Sequence, residues 1–85
     1  MQAVELYTKN TCGFCHAAKR LLTAKGVTFS EISLSAQPDR VAEMTKRSNG
    51  GRTVPQIFIG TTHVGGYDDL HALNSAGKLD ALLAG

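Results

Sequence analysis

Ala3-Val4-Glu5-Leu6-Tyr7-Thr8-Lys9-Asn10-Thr11-Cys12-Gly13-Phe14-Cys15 joins two different periodicities. Residues 3–7 alternate as a strand does, and the polar run Thr8-Lys9-Asn10-Thr11 ends it. A helix is then expected from Thr11 or Cys12 to Lys25. Cys15, Ala18, Leu21 and Leu22 recur at helical spacing, with Lys19, Arg20 and Lys25 on other faces or near the end. Thr11 is a plausible cap and Gly26 a natural stop. Both cysteines of the chain therefore fall where a strand hands over to a helix.

Working outward, Val27-Thr28-Phe29-Ser30-Glu31-Ile32 alternates as a second strand. Ser35-Ala36-Gln37-Pro38-Asp39 reads as a helix start with Pro38 in the first turn. That helix is expected to carry Val41 and Met44 inward and to end at Asn49-Gly50-Gly51. Val54-Pro55-Gln56-Ile57-Phe58-Ile59 is a third strand opened by proline. A turn at 60–62 leads to a fourth strand at His63-Val64, broken by Gly65-Gly66. Asp68 or Asp69 is expected to cap a last helix through Leu70 and Leu73, with a tail helix near Leu79, Leu82 and Leu83. The order β-α-β-α-β-β-α implies an α/β fold. Strand–helix–strand gives a parallel pair with a right-handed crossover, and the short third connection gives an antiparallel hairpin. The expected architecture is a mixed four-stranded sheet with helices on both faces. Its core is read as Tyr7, Leu21, Leu22, Phe29, Ile57, Phe58, Ile59, Leu70 and Leu73.

With 85 residues, the chain has room for one domain, 1–85. It is 42% hydrophobic and 19% charged with a net charge of +2, the balance of a folded chain. No apolar run approaches the ~20 residues of a membrane-spanning helix. The N-terminus lacks a basic segment followed by an apolar core, so a cytoplasmic location is expected. The basic residues are scattered, and five aromatics without a tryptophan do not make a nucleic-acid surface.

Only two cysteines are present, in one C-x-x-C, Cys12-Gly13-Phe14-Cys15. A disulfide-stapled secreted scaffold carries more, at wider spacings. A thiolate at a helix N-terminus is stabilised by free N–H groups and the helix dipole, so a lowered pKa is expected at Cys12. Cys15, one turn further on the same face, is expected to be more buried and to act second. That spacing lets one sulfur attack a disulfide and the other resolve the product. A closed zinc site needs four ligands, which His16, His63 and His71 do not complete at this spacing. Two inert structural thiols fit poorly in a polar loop.

Three blocks resemble the glutaredoxin family, of the small dithiol bacterial kind, over essentially the whole chain. They are Tyr7-Thr8-Lys9 leading into Cys12-Gly13-Phe14-Cys15-His16, then Thr53-Val54-Pro55-Gln56-Ile57-Phe58-Ile59, then Gly65-Gly66-Tyr67-Asp68-Asp69-Leu70. The resemblance implies a thioredoxin fold and a glutathione-dependent thiol–disulfide oxidoreductase. Such an enzyme reduces protein disulfides and protein–glutathione mixed disulfides. Cys12 resembles the family's nucleophile and Cys15 its resolving cysteine. Lys9 is implied as partner of the glutathione glycine carboxylate. Thr53, Val54 and Pro55 resemble the family's cis-proline segment, whose main chain pairs with the tripeptide like an added strand. Phe14 is implied as an apolar wall, and Gly65 and Gly66 as points of close approach. N–H groups at Asp68 and Asp69 are implied to take the γ-glutamyl carboxylate, with the Asp69 side chain on its ammonium. Gln37, Arg40 and Arg52 are looser candidates for the glycine carboxylate. His16 is read as a solvated helix residue.

The motif interior departs from the family's usual dithiol form, which has Pro-Tyr where this chain has Gly13-Phe14. Gly13 restores an N–H and loosens the backbone. Some glutaredoxins with glycine here hold a [2Fe-2S] cluster between two monomers, so the resemblance also implies an alternative: a homodimer bridged by a [2Fe-2S] cluster on Cys12 and glutathione, serving as an iron–sulfur carrier or sensor. Tyr67 replaces a cysteine found in several relatives. The expectation is a monomer with glutathione as co-substrate and protein disulfides or glutathionylated proteins as partners. No metal is obligatory, and neither nucleic acid nor membrane is involved.

Overall fold

The computed structural model describes residues 1–85. Strand β1 (Val4–Thr8) lies inside the sheet because both of its faces are apolar. Val4 and Leu6 point to one side and Tyr7 to the other, all at 3% exposure or less. β2 (Ser30–Ser33) pairs with it in parallel, Glu5 opposite Ser30 and Thr8 opposite Ser33. β3 (Gln56–Ile59) runs antiparallel on its other side, Val4 opposite Ile59. β4 (Thr62–Gly65) completes a hairpin with β3, its register shifting between Ile57 and Phe58. The sheet order is β2-β1-β3-β4.

Helices cover both faces, as the element order implied. Helices α1 (Gly13–Ala24), α3 (Tyr67–Ser75) and α4 (Leu79–Ala84) pack over Val4, Leu6, Ile57 and Ile59 through Ala18, Leu22, Leu70, Leu79 and Leu83. On the opposite face α2 (Val41–Arg47), entered through a 3-10 turn at Pro38–Arg40, sets Met44 against Tyr7, Ile32, Leu34 and Phe58. A charged belt pins α2 to β1. Tyr7 donates its hydroxyl proton to Glu43, and Arg47 donates to the Tyr7 hydroxyl at 3.0 Å. Arg47 also pairs with Glu5 at 3.1 Å, and its guanidinium lies 4.2 Å from the Phe58 ring centroid. Burial, with the Glu43 carboxylate next, raises the Tyr7 pKa.

Several expectations need correction. Val41 is 38% exposed, not inward, because the 3-10 turn rotates the helix start and leaves Met44 alone facing the sheet. The second strand begins at Ser30, not Val27; Val27 is buried under the α1 side, and its N–H closes the end of α1 on the Leu22 carbonyl. The third strand begins at Gln56, because Val54–Pro55 is a cis peptide outside the ladder. Leu21, Phe29 and Leu73 are only partly buried at the margin of the larger core.

Candidate active site

Helix α1 starts at Gly13, and its N-cap is Cys12, not Thr11. Cys12 is extended (φ −95°, ψ 110°), and its sulfur accepts the Cys15 N–H at 3.1 Å. That bond is the one a serine or aspartate cap makes, here completed by the sulfur itself. Further support comes from the turn before it, where the Cys12 N–H donates to the Lys9 carbonyl at 3.3 Å. Across the loop the Cys12 thiol faces the Val54 carbonyl at 3.5 Å.

The two cysteines occupy different surroundings. Cys12 is half-buried, whereas Cys15 is fully buried. Burial pushes the Cys15 thiol up to about 12, and the neighbouring Cys12 sulfur adds to the shift through a hydrogen bond and its charge. Both thiols are free.

A groove of about 520 Å³ opens beside Cys12. It gathers the segment Thr53–Gln56, the turn Gly65–Asp69, Phe14 and His63. Phe14 is 62% exposed, and its ring stacks on Tyr67 with centroids 6.1 Å apart and planes 21° apart. At the other wall Gly66 is the N-cap of α3, which replaces the expected Asp68 or Asp69 cap. Asp69 sits three residues in, and its carboxylate accepts the Gly66 N–H at 3.0 Å. This is the reaching-back half of a capping box. Gly65 has φ +113°, and a Cβ there would run into the Asp69 carboxylate. The first-turn N–H groups of α3 have no intrahelical acceptors and are therefore open to an anion.

Of the residues singled out by sequence, Phe14, Thr53, Val54, Pro55, Gly66, Asp68 and Asp69 line this one groove, and Cys12 stands against its Val54 side. Lys9 is exposed on the loop before α1 and is not part of the groove wall. Arg40 is engaged by Glu43 in two hydrogen bonds, at 2.7 and 3.1 Å. His16 is exposed, its Nε2 3.2 Å from the Asn10 carbonyl oxygen. The groove also contains Gln56, His63 and Tyr67, to which sequence reasoning gave no place in a binding site. Gln56 carried a readable signal, being the one polar side chain in the strand Gln56–Ile59. His63 carried none, because which residue of a short hairpin strand faces a groove depends on the register. No group of three or more His, Cys, Asp or Glu side chains converges in the chain, and no helix is long and apolar enough to cross a membrane.

A four-stranded mixed sheet carrying a C-x-x-C at the start of its first helix, with a cis-proline segment facing the first sulfur, defines a thiol–disulfide oxidoreductase of the thioredoxin fold. The glutaredoxin family profile matches residues 4–64. The chain belongs to the glutaredoxin family. It is 54% identical over 83 residues to glutaredoxin 3 of Escherichia coli K12, covering 98% of this chain and 99% of that one. The solution structure of a Brucella melitensis glutaredoxin superimposes with a TM-score of 0.83 at 54% identity, covering 98% of this chain and 89% of that one. A buckwheat glutaredoxin–glutathione complex superimposes with a TM-score of 0.87 at 31% identity, covering 98% and 77%. These relatives do not favour the cluster-bridged dimer raised by Gly13 as the principal role.

Proposed function

We propose that this chain is a glutathione-dependent oxidoreductase that reduces protein–glutathione mixed disulfides and protein disulfides. It acts as a monomeric single domain over residues 1–85, in a reducing compartment such as the cytoplasm. The observation that carries this reading is the Cys12 sulfur, held at the N-cap of α1 and facing the Val54 carbonyl beside a groove of tripeptide size. The buckwheat relative in complex with glutathione supports it.

In the first half-reaction the Cys12 thiolate attacks the glutathione sulfur of a mixed disulfide. The Cys12–glutathione disulfide forms, and the substrate thiolate leaves and takes up a proton. A second glutathione thiolate then attacks the bound glutathione sulfur, which yields glutathione disulfide and regenerates the Cys12 thiolate. With a protein disulfide, Cys12 attacks one substrate sulfur and Cys15 attacks Cys12. The substrate leaves as a dithiol, and two glutathiones later reduce the Cys12–Cys15 disulfide. The N–H of Cys15 donates to the Cys12 sulfur, which suits it to stabilise a thiolate there both as reactant and as leaving group.

The same reading assigns the remaining roles, with the groove lining in support of all but Lys9, which stands outside the wall. Val54 offers its main chain to the cysteinyl unit of glutathione in the manner of an added strand, flanked by Thr53 and Pro55. Phe14 and Gly66 wall the tripeptide. N–H groups at Asp68 and Asp69 receive the γ-glutamyl carboxylate. The Asp69 carboxylate, held on Gly66, faces its ammonium. Lys9 supplies the cation for the glycine carboxylate.

The deciding experiment couples turnover to glutathione reductase and NADPH on a glutathionylated peptide. Cys12→Ser is expected to abolish turnover, and Cys15→Ser to retain it while losing most dithiol reduction of a protein disulfide. Equal losses in both variants on the glutathionylated peptide would overturn the assignment.

A further inference from the structure

Gln56 is 5% exposed, and both ends of its amide are used. Its Nε2 donates to the Thr53 carbonyl at 3.0 Å and lies 3.5 Å from the Thr53 hydroxyl. A carbonyl oxygen only accepts, so the NH₂ end must face Thr53 and Oε1 must face the other way. There Oε1 meets His63 Nε2 at 2.6 Å, which places a proton on that nitrogen. The His63 ring is held in turn by stacking on Phe58, centroids 4.9 Å apart and planes 28° apart. Gly51 closes over the amide, where a Cβ would come within 2.8 Å of Nε2.

The consequence lies in the next peptide plane. The Thr53–Val54 peptide is trans, so its carbonyl and its N–H point in opposite directions. Holding the Thr53 oxygen on Gln56 therefore aims the Val54 N–H away from Gln56. None of the main-chain bonds in turns and loops uses that N–H.

We propose that Gln56 and His63 are positioning residues that together fix the direction of the Val54 N–H for main-chain recognition of the substrate. The proposal rests on the glutathione reading above. Neither residue touches the reacting sulfurs; both act through the Thr53–Val54 peptide. Pre-organising that donor lowers the cost of ordering the loop when a peptide-like ligand docks.

The test uses one peptide disulfide in two forms, capped by glutathione or by 2-mercaptoethanol. The second form lacks the main chain that Val54 would read. The wild type is expected to prefer the glutathione form. His63→Phe keeps a ring on Phe58 but removes the donor. It is expected to raise KM for the glutathione form by about fivefold, the worth of one net hydrogen bond, with the change in KM rather than kcat. His63→Gln, whose amide nitrogen can reach the place of Nε2, is expected to restore KM. Gln56→Met, checked for folding by its thermal melt, is expected to match His63→Phe.

Unchanged KM in both His63→Phe and a folded Gln56→Met, with wild-type preference intact, would overturn the positioning role and leave the glutathione reading standing. An equal rise for both capped forms would overturn it as well, since that marks general loosening of the site. A wild type without preference would remove the glutathione reading itself and this inference with it.

Discussion

At the scale of single residues, the site divides its labour by burial. Cys15 is held near 12, so it stays a neutral thiol throughout the physiological range. A raised pKa means less thiolate at a given pH, and only the thiolate reacts with alkylating agents. Brief exposure of the reduced protein to iodoacetamide at pH 7 is expected to place one adduct, on Cys12, with Cys15 at least about tenfold slower. In the Cys12→Ser variant the rate at Cys15 is expected to climb with pH and show no plateau below about pH 10. Mass spectrometry of timed samples reads both. Two of the causes that raise Cys15 are the hydrogen bond to Cys12 and its charge. Both weaken once Cys12 is in a mixed disulfide while burial remains, so in the proposed mechanism the second thiol is eased toward reaction after the first has reacted. Sequence spacing alone carried the difference in burial between the two cysteines. What it hid was that Cys12 caps its own helix, because threonine at 11 is the better capper by propensity.

At the scale of elements, the two helix N-termini that shape the site make separable predictions. Because the Cys12 sulfur accepts the Cys15 N–H, Cys12→Ser is expected to retain the cap and stay within about 0.5 kcal/mol of wild-type stability while losing activity. Cys12→Ala loses the cap and is expected to cost about 1 kcal/mol. Urea titration of the three proteins reads the difference. Asp69→Ala removes the carboxylate from the Gly66 N–H and is expected to cost a similar amount, about 1 kcal/mol, and to weaken glutathione capture as well. Element types and order were legible in the sequence because alternation and helical spacing were clean. Boundaries were not. Val27–Phe29 alternate like a strand yet lie before the β1–β2 ladder, and Val54 precedes the ladder of β3. Pairing partners decide those limits, and a local pattern cannot contain them.

At the scale of the molecule, one sheet separates two cores of unequal size. Ten buried residues lie on the α1, α3 and α4 side and five on the α2 side. The larger core is expected to dominate stability. Leu22→Ala, at a fully buried position there, is expected to cost about 3 kcal/mol and to lower Tm by more than about 10 °C. Calorimetry checks this directly. The sheet's mixed pairing followed from connection lengths, and the two-sided helical cover from the element order in a chain of this length. The groove itself was less legible. It forms only where the start of α1, the segment before β3 and the start of α3 meet, residues more than 50 positions apart in the chain. The family resemblance gave roles to most of its residues, whereas periodicity gave none, and Gln56, His63 and Tyr67 received a site role from neither.

The two tyrosines have a consequence for optical measurement. The chain has no tryptophan, so its near-ultraviolet emission comes from Tyr7 and Tyr67. Tyr7 is fully buried with its hydroxyl on the Glu43 carboxylate, a pairing that quenches phenol emission. Tyr67 stands in the groove wall with Phe14 against it. The protein thus contains its own single-site fluorophore at the mouth of the groove, and occupancy can be read as light without any label.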